Sequence, residues 1–122
     1  MVSLGTLINI ISDFAPRSLK LSKVGLIGSY ARNEQSSDSD VDMVFMTPDG
    51  NIDEPLIAVA MPIRSVLLNQ FRVGLDVVNY RTILNRANAA SDLYFQDGYK
   101  QMLRDLRWVW EGNARSESSA ST

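Results

Sequence analysis

Apolar positions along the chain change period several times, and each change marks an element. Leu4, Leu7, Ile8, Ile11 and Phe14 recur at helical spacing, and Pro16 ends that run. "KVGLIG" (23–28) is short, apolar and closed by glycine, the pattern of a buried strand. A helical turn is expected from Ser29, whose hydroxyl suits an N-cap, followed by a loop at "SSDS". In "DVDMVFM" (40–46) Val41, Met43 and Phe45 fall on one face, while Val44 and Met46 share the other with Asp40 and Asp42. Apolar residues on both faces predict a central strand covered on each side.

"TPDGN" (47–51) is turn chemistry, and residues 53–70 read as a helix with Pro55 near its first turn. Pro62 must kink that helix or restart it. "RVGLDVVNY" (72–80) predicts a third strand carrying Asp76, and residues 82–90 a short polar helix or loop. Residues 91–106 predict a last helix with Leu93, Tyr94, Met102, Leu103 and Leu106 on its apolar side. "LRWVW" then reads as a terminal strand with Trp108 and Trp110 on one side. "ARSESSAST" (114–122) has the composition of a disordered tail, which leaves 1–113 as a single domain. The fold class is α/β (α+β): a small mixed sheet of three to four strands backed by helices.

Composition narrows the chemistry. The 122 residues contain no cysteine and no histidine. That excludes disulfides, the usual zinc sites, and any Cys or His nucleophile or base. Catalysis is left to carboxylates, hydroxyls, Lys and Arg, with a hard, oxygen-seeking metal. The net charge of −2 gives no general attraction to nucleic acid or anionic membrane. The N-terminal apolar stretch is broken by Asn9, Ser12 and Asp13, unlike a signal peptide. No apolar run approaches the roughly 18 residues of a membrane span, so the expected location is cytoplasmic.

The acids against the second strand are the unusual feature. Asp40 and Asp42 point the same way, and each raises the other's pKa unless a cation sits between them. Magnesium or manganese resolves that conflict. If the strand of Asp76 pairs beside the second strand, a third carboxylate joins, and three can hold two metals about 4 Å apart for in-line phosphoryl displacement. Gly28 and Ser29 supply the complementary half: a glycine that admits close approach, then amides and a hydroxyl for a triphosphate.

Gly28, Ser29, Asp40 and Asp42, in "GSYARNEQSSDSDVDMVF", resemble the G-S-x10-D-x-D signature of the DNA polymerase beta-like nucleotidyltransferase superfamily, and in particular its minimal MNT branch. Four such positions would coincide in a chain this long at roughly one in a thousand from average residue usage, so the match is specific. "YAR" after the Ser, Ser39 between the acids and "LDVV" extend the similarity, which covers about residues 4 to 111. Asn33 stands where the family often has Gly, and Ser37 replaces a common Pro; Asn33 is expected to need a left-handed backbone. The resemblance implies nucleotidyl transfer from ATP with release of pyrophosphate. It makes Asp40 and Asp42 metal ligands and Asp76 a third ligand that helps deprotonate the acceptor hydroxyl. It also implies a partner, because MNT proteins commonly act as antitoxins of HEPN-domain ribonuclease toxins, some by transferring AMP to a toxin tyrosine. So short a chain leaves the acceptor surface to that partner or to a second subunit.

Plainer readings compete at each position. Asp40 and Asp42 without the rest would be a solvated strand start, and Asp38 reads as loop chemistry rather than a ligand. An EF-hand counted from Asp38 fails, because its sixth and twelfth positions are Met43 and Asp49. Asp76 could be an edge-strand charge that blocks aggregation. Arg32 either touches phosphate or pairs on the surface with Glu34 or a nearby Asp. Two other functions stand against the enzyme–antitoxin. One is a non-catalytic module that occludes its toxin. The other is a dimeric transferase acting on small, antibiotic-like acceptors.

Overall fold

A computed structural model of the chain describes residues 1–89 and 93–112. Helix α1 (Leu4–Phe14) opens at Ser3, whose hydroxyl accepts the Thr6 amide, and buries Leu7 and Ile11 on its inner face. It tightens into a short 3-10 turn at Ala15–Arg17, where Pro16 removes a donor. Strand β1 (Lys23–Ile27) runs into the single helical turn α2 (Gly28–Ala31), and the chain returns antiparallel as strand β2 (Val41–Met46).

Residues 53–71 form one continuous helical run, α3. Its Asp53–Pro55 and Met61–Val66 segments are α-wound, and Leu56–Ala60 and Leu67–Phe71 are wound wider. Pro62 lies at the start of the second α segment, so the helix is rewound there rather than broken. The run closes at Arg72, in the left-handed region with φ 58°, whose amide donates to the Leu68 carbonyl at 3.2 Å. Residues 72 and 73 therefore finish a helix where apolar alternation suggested strand, and strand β3 is the shorter Leu75–Asn79. Helix α4 (Tyr80–Ala87) is capped by Asn79, helix α5 spans Leu93–Asp105, and strand β4 spans Arg107–Glu111. The tail expected at 114–122, the domain end at 113 and the junction at 90–92 lie outside the described residues.

The strands form one mixed sheet in the order β3-β2-β1-β4. β1 is antiparallel to both β2 and β4, and β2 is parallel to β3. One face, with Val24, Leu26, Val41, Met43 and Phe45, packs on α1 and α3 through Leu7, Ile11, Val59, Ile63 and Leu67. The other face sets Ile27 and Val44 against Ile83 of α4 and Tyr99, Met102 and Leu103 of α5. Each fully buried aliphatic side chain contributes about 1.5–3 kcal/mol, so β2 is held from both sides as its pattern predicts. The terminal strand departs from expectation. β4 pairs Trp110 with Val24 and Trp108 with Gly25, and the irregularity between them is a bulge. Trp110 consequently joins the larger core and Trp108 the smaller, rather than both lying on one side. Among the described residues no helix is long and apolar enough to cross a membrane.

Candidate active site

The parallel register of β2 and β3 sets Val41 opposite Leu75 and Asp42 opposite Asp76. Neighbouring strands lie about 4.8 Å apart, and residues of one parity share a face, so both carboxylates stand side by side above Val44 and Val78. Asp40, of the same parity, immediately precedes β2 and is exposed, as is Asp76. Asp42 is half-buried, and its carboxyl is pushed above the ordinary range, first by burial, then by the charge of Asp76, then by that of Asp40. The acids thus interact electrostatically, and among the described residues no basic side chain pairs with them.

They do not form a finished cage. Asp40 Oδ1 accepts the Gly74 amide at 3.1 Å. Among the described residues no three acidic side chains stand in a group able to hold a metal ion as they are. The donor set itself, carboxylate oxygens alone, suits magnesium or manganese. In kind the residues fit such an ion.

Gly28 completes the floor. It follows directly on Ile27, the residue of β1 that pairs with Asp42. At φ +72° a Cβ on residue 28 would lie 3.1 Å from Asp42 Oδ2, so both backbone strain and the carboxylate disfavour a side chain there. Ser29 follows, half-buried, and Tyr30 is fully buried in the larger core, which anchors the turn. Asn33 adopts the left-handed backbone expected of it, with φ 56°.

Arg32 is engaged elsewhere: Nε lies 2.8 Å from Glu34 Oε1 and Nη1 2.7 Å from Asp105 Oδ2. The ion pair, of the two readings the sequence left open, is the arrangement present. Asp38 is exposed in the loop. Two residues of the site were missed from sequence. Gly74 touches Asp40, and Arg64 reaches from α3 to donate to the Leu75 carbonyl at 2.8 Å, bracing the strand edge beside Asp76. The glycine in "VGLD" was a signal for the first; nothing local marks the second.

The family model of the nucleotidyltransferase domain matches residues 6–97, a span that contains Gly28, Ser29 and all three acids. The chain belongs to that family. Nucleotidyltransferases are enzymes, and this fold is theirs. A toxin–antitoxin complex with AMP-PNP is similar at 19% identity and TM-score 0.53, over 95% of this chain and 79% of that one. A mutant of the toxin–antitoxin pair MntA–HpeT is similar at 17% identity and TM-score 0.53, with the same 95% and 79% coverage. A candidate minimal nucleotidyltransferase is similar at 23% identity and TM-score 0.51, over 87% of this chain and 95% of that one. At such identities the likeness speaks to the fold. No curated protein matches the chain.

Proposed function

We propose that this nucleotidyltransferase moves AMP from ATP to a hydroxyl on a HEPN-type toxin, acting as its antitoxin. The observation that carries the reading is the pairing of Asp42 with Asp76 directly against the bare backbone of Gly28. A carboxylate pair beside a side-chain-free turn suits a triphosphate accompanied by a divalent ion. The similar complex that holds AMP-PNP supports the nucleotide, and the toxin–antitoxin neighbours support the partner.

Asp40, Asp42 and Asp76 would hold magnesium or manganese, which when bound supplies charge stabilisation to the transferring phosphoryl group. Gly28 lets the phosphates approach the backbone, and the Ser29 amide and hydroxyl orient them. Arg32 reaches phosphate only by leaving Glu34 and Asp105. Asp76, exposed at the sheet edge, takes the proton of the acceptor hydroxyl. The acceptor oxygen bonds to the α-phosphorus as the bond to the bridging oxygen breaks, and pyrophosphate leaves with that electron pair.

Incubation with labelled ATP, magnesium and the candidate HEPN partner tests this. Label on the partner, lost in Asp42→Ala, is expected. One observation favours the alternative of occlusion without transfer: the acids as they stand make no metal-holding group of three. Under that alternative the partner is neutralised and stays unlabelled, whether Asp42 is intact or replaced.

A further inference from the structure

Asp40 is bound to Gly74 rather than to the other acids. Its Oδ1 accepts the Gly74 amide at 3.1 Å, and the Gly74 carbonyl accepts the Val41 amide at 2.9 Å, so the start of β2 is clasped to the approach of β3 in both directions. The clasp requires a glycine. A Cβ on residue 74 would lie 2.9 Å from Asp40 Oδ1 and 3.1 Å from its Cγ, and the carboxylate would be driven off. An amide donating to a carboxylate is directional and stronger than a neutral hydrogen bond. It fixes where an exposed, otherwise mobile side chain points.

Resting on the nucleotidyltransferase reading, we infer that Gly74 is a positioning residue for Asp40, holding its carboxylate at the start of β3 until a divalent cation and a triphosphate arrive together. Asp40 then exchanges the amide for the cation. The bond is suited to that exchange. Its net contribution is small beside the attraction of a dication for a carboxylate a few ångströms away. Two consequences follow for binding. Without nucleotide the protein presents two acids and takes up the metal weakly; with it, all three act, and cation and nucleotide each strengthen the other's binding.

The test uses the whole chain, labelled with nitrogen-15, as wild type and as Asp40→Ala. In wild type the Gly74 amide should exchange with solvent roughly tenfold more slowly than in Asp40→Ala, the factor a charge-assisted hydrogen bond sustains. Adding magnesium with AMP-PNP should shift the Gly28 and Ser29 resonances and abolish that difference. Equal Gly74 exchange in the two free proteins overturns the positioning role. So does a Gly74 amide that stays protected while Gly28 and Ser29 shift; both results leave the transferase reading standing. If magnesium and AMP-PNP move no resonance, the transferase reading falls and the positioning role with it.

Discussion

Beyond Met46, at the carboxyl end of β2, Asp49 accepts the Asn51 amide at 2.9 Å, and Arg81 donates to the carbonyls of Asp49 and Pro48 at 3.0 and 2.9 Å. Gly50, at φ +79°, packs under the Arg81 side chain, and Asn79 donates to the Gly50 carbonyl. At the amino end stand a second glycine of positive φ, Gly28, and three acids, with no basic side chain bonded to any of them among the described residues. The same ingredients, a left-handed glycine and strand-end carboxylates, are closed on themselves at one end and left open at the other. Asp49 is held below the ordinary carboxylate range, chiefly by the Asn51 amide, whereas Asp42 is pushed above it, chiefly by burial. An acid that the fold satisfies is part of the fold; an acid that the fold leaves in conflict points to something absent from the chain.

Removing one acid from each end gives the largest contrast. Asp42→Ala should lower labelled-AMP transfer by at least about a thousandfold, because a lost charge-stabilising group in such a site costs roughly 4 kcal/mol of barrier. Its melting temperature should hold or rise, since a conflict is relieved. Asp49→Asn should leave transfer per folded molecule at the wild-type rate. Equal loss of transfer in both would erase the distinction between the two ends.

The glycines sharpen it. Gly28→Ala and Gly50→Ala each force an L side chain into the left-handed region, at about 1–2 kcal/mol. Both also meet neighbours: Asp42 Oδ2 at 3.1 Å in one case, Arg81 Cδ at 2.7 Å in the other. Denaturant midpoints should fall in both variants, but only Gly28→Ala should weaken ATP binding by calorimetry. Smaller again is Arg81→Ala, an exposed side chain that bonds two loop carbonyls, with an expected loss of about 1 kcal/mol in unfolding free energy by urea titration and unchanged transfer.

What the sequence revealed follows the same division. Short apolar runs placed β1 and β2 because their burial is continuous on both faces, and the spacing from Gly28 to Asp42 marked the open end because its residue types are scarce in combination. The pairing of Asp42 with Asp76 was not legible, since strand order depends on how α3 crosses the sheet. The face of Trp110 was misjudged because one bulged residue in β4 inverts the alternation after it. The start of β3 was misjudged because Arg72 closes a helix in a conformation usually left to glycine. Gly74 and Arg64 escaped notice because their partners, Asp40 and the Leu75 carbonyl, are fixed by tertiary structure and not by spacing.

The smallest expected effect is in stability against pH, where the two ends should differ in sign. An unfolded Asp titrates near 3.8. Asp42 titrates higher when folded, so just above that value the folded protein holds the extra proton, and stability falls as pH rises until the folded carboxyl has ionised. Asp49 titrates lower when folded, so it contributes stability above 3.8 that is lost as pH drops through its folded value. Urea midpoints measured in EDTA from about pH 3 to about pH 7 separate these contributions. Asp42→Asn should flatten the decline above 3.8 and leave the acid limb alone, while Asp49→Asn should do the reverse. Magnesium in place of EDTA should flatten the wild-type decline as Asp42→Asn does, because a bound cation balances the charge that protonation otherwise removes. A decline that persists unchanged in Asp42→Asn would mean that the strain at this end of β2 does not reside in its carboxylates.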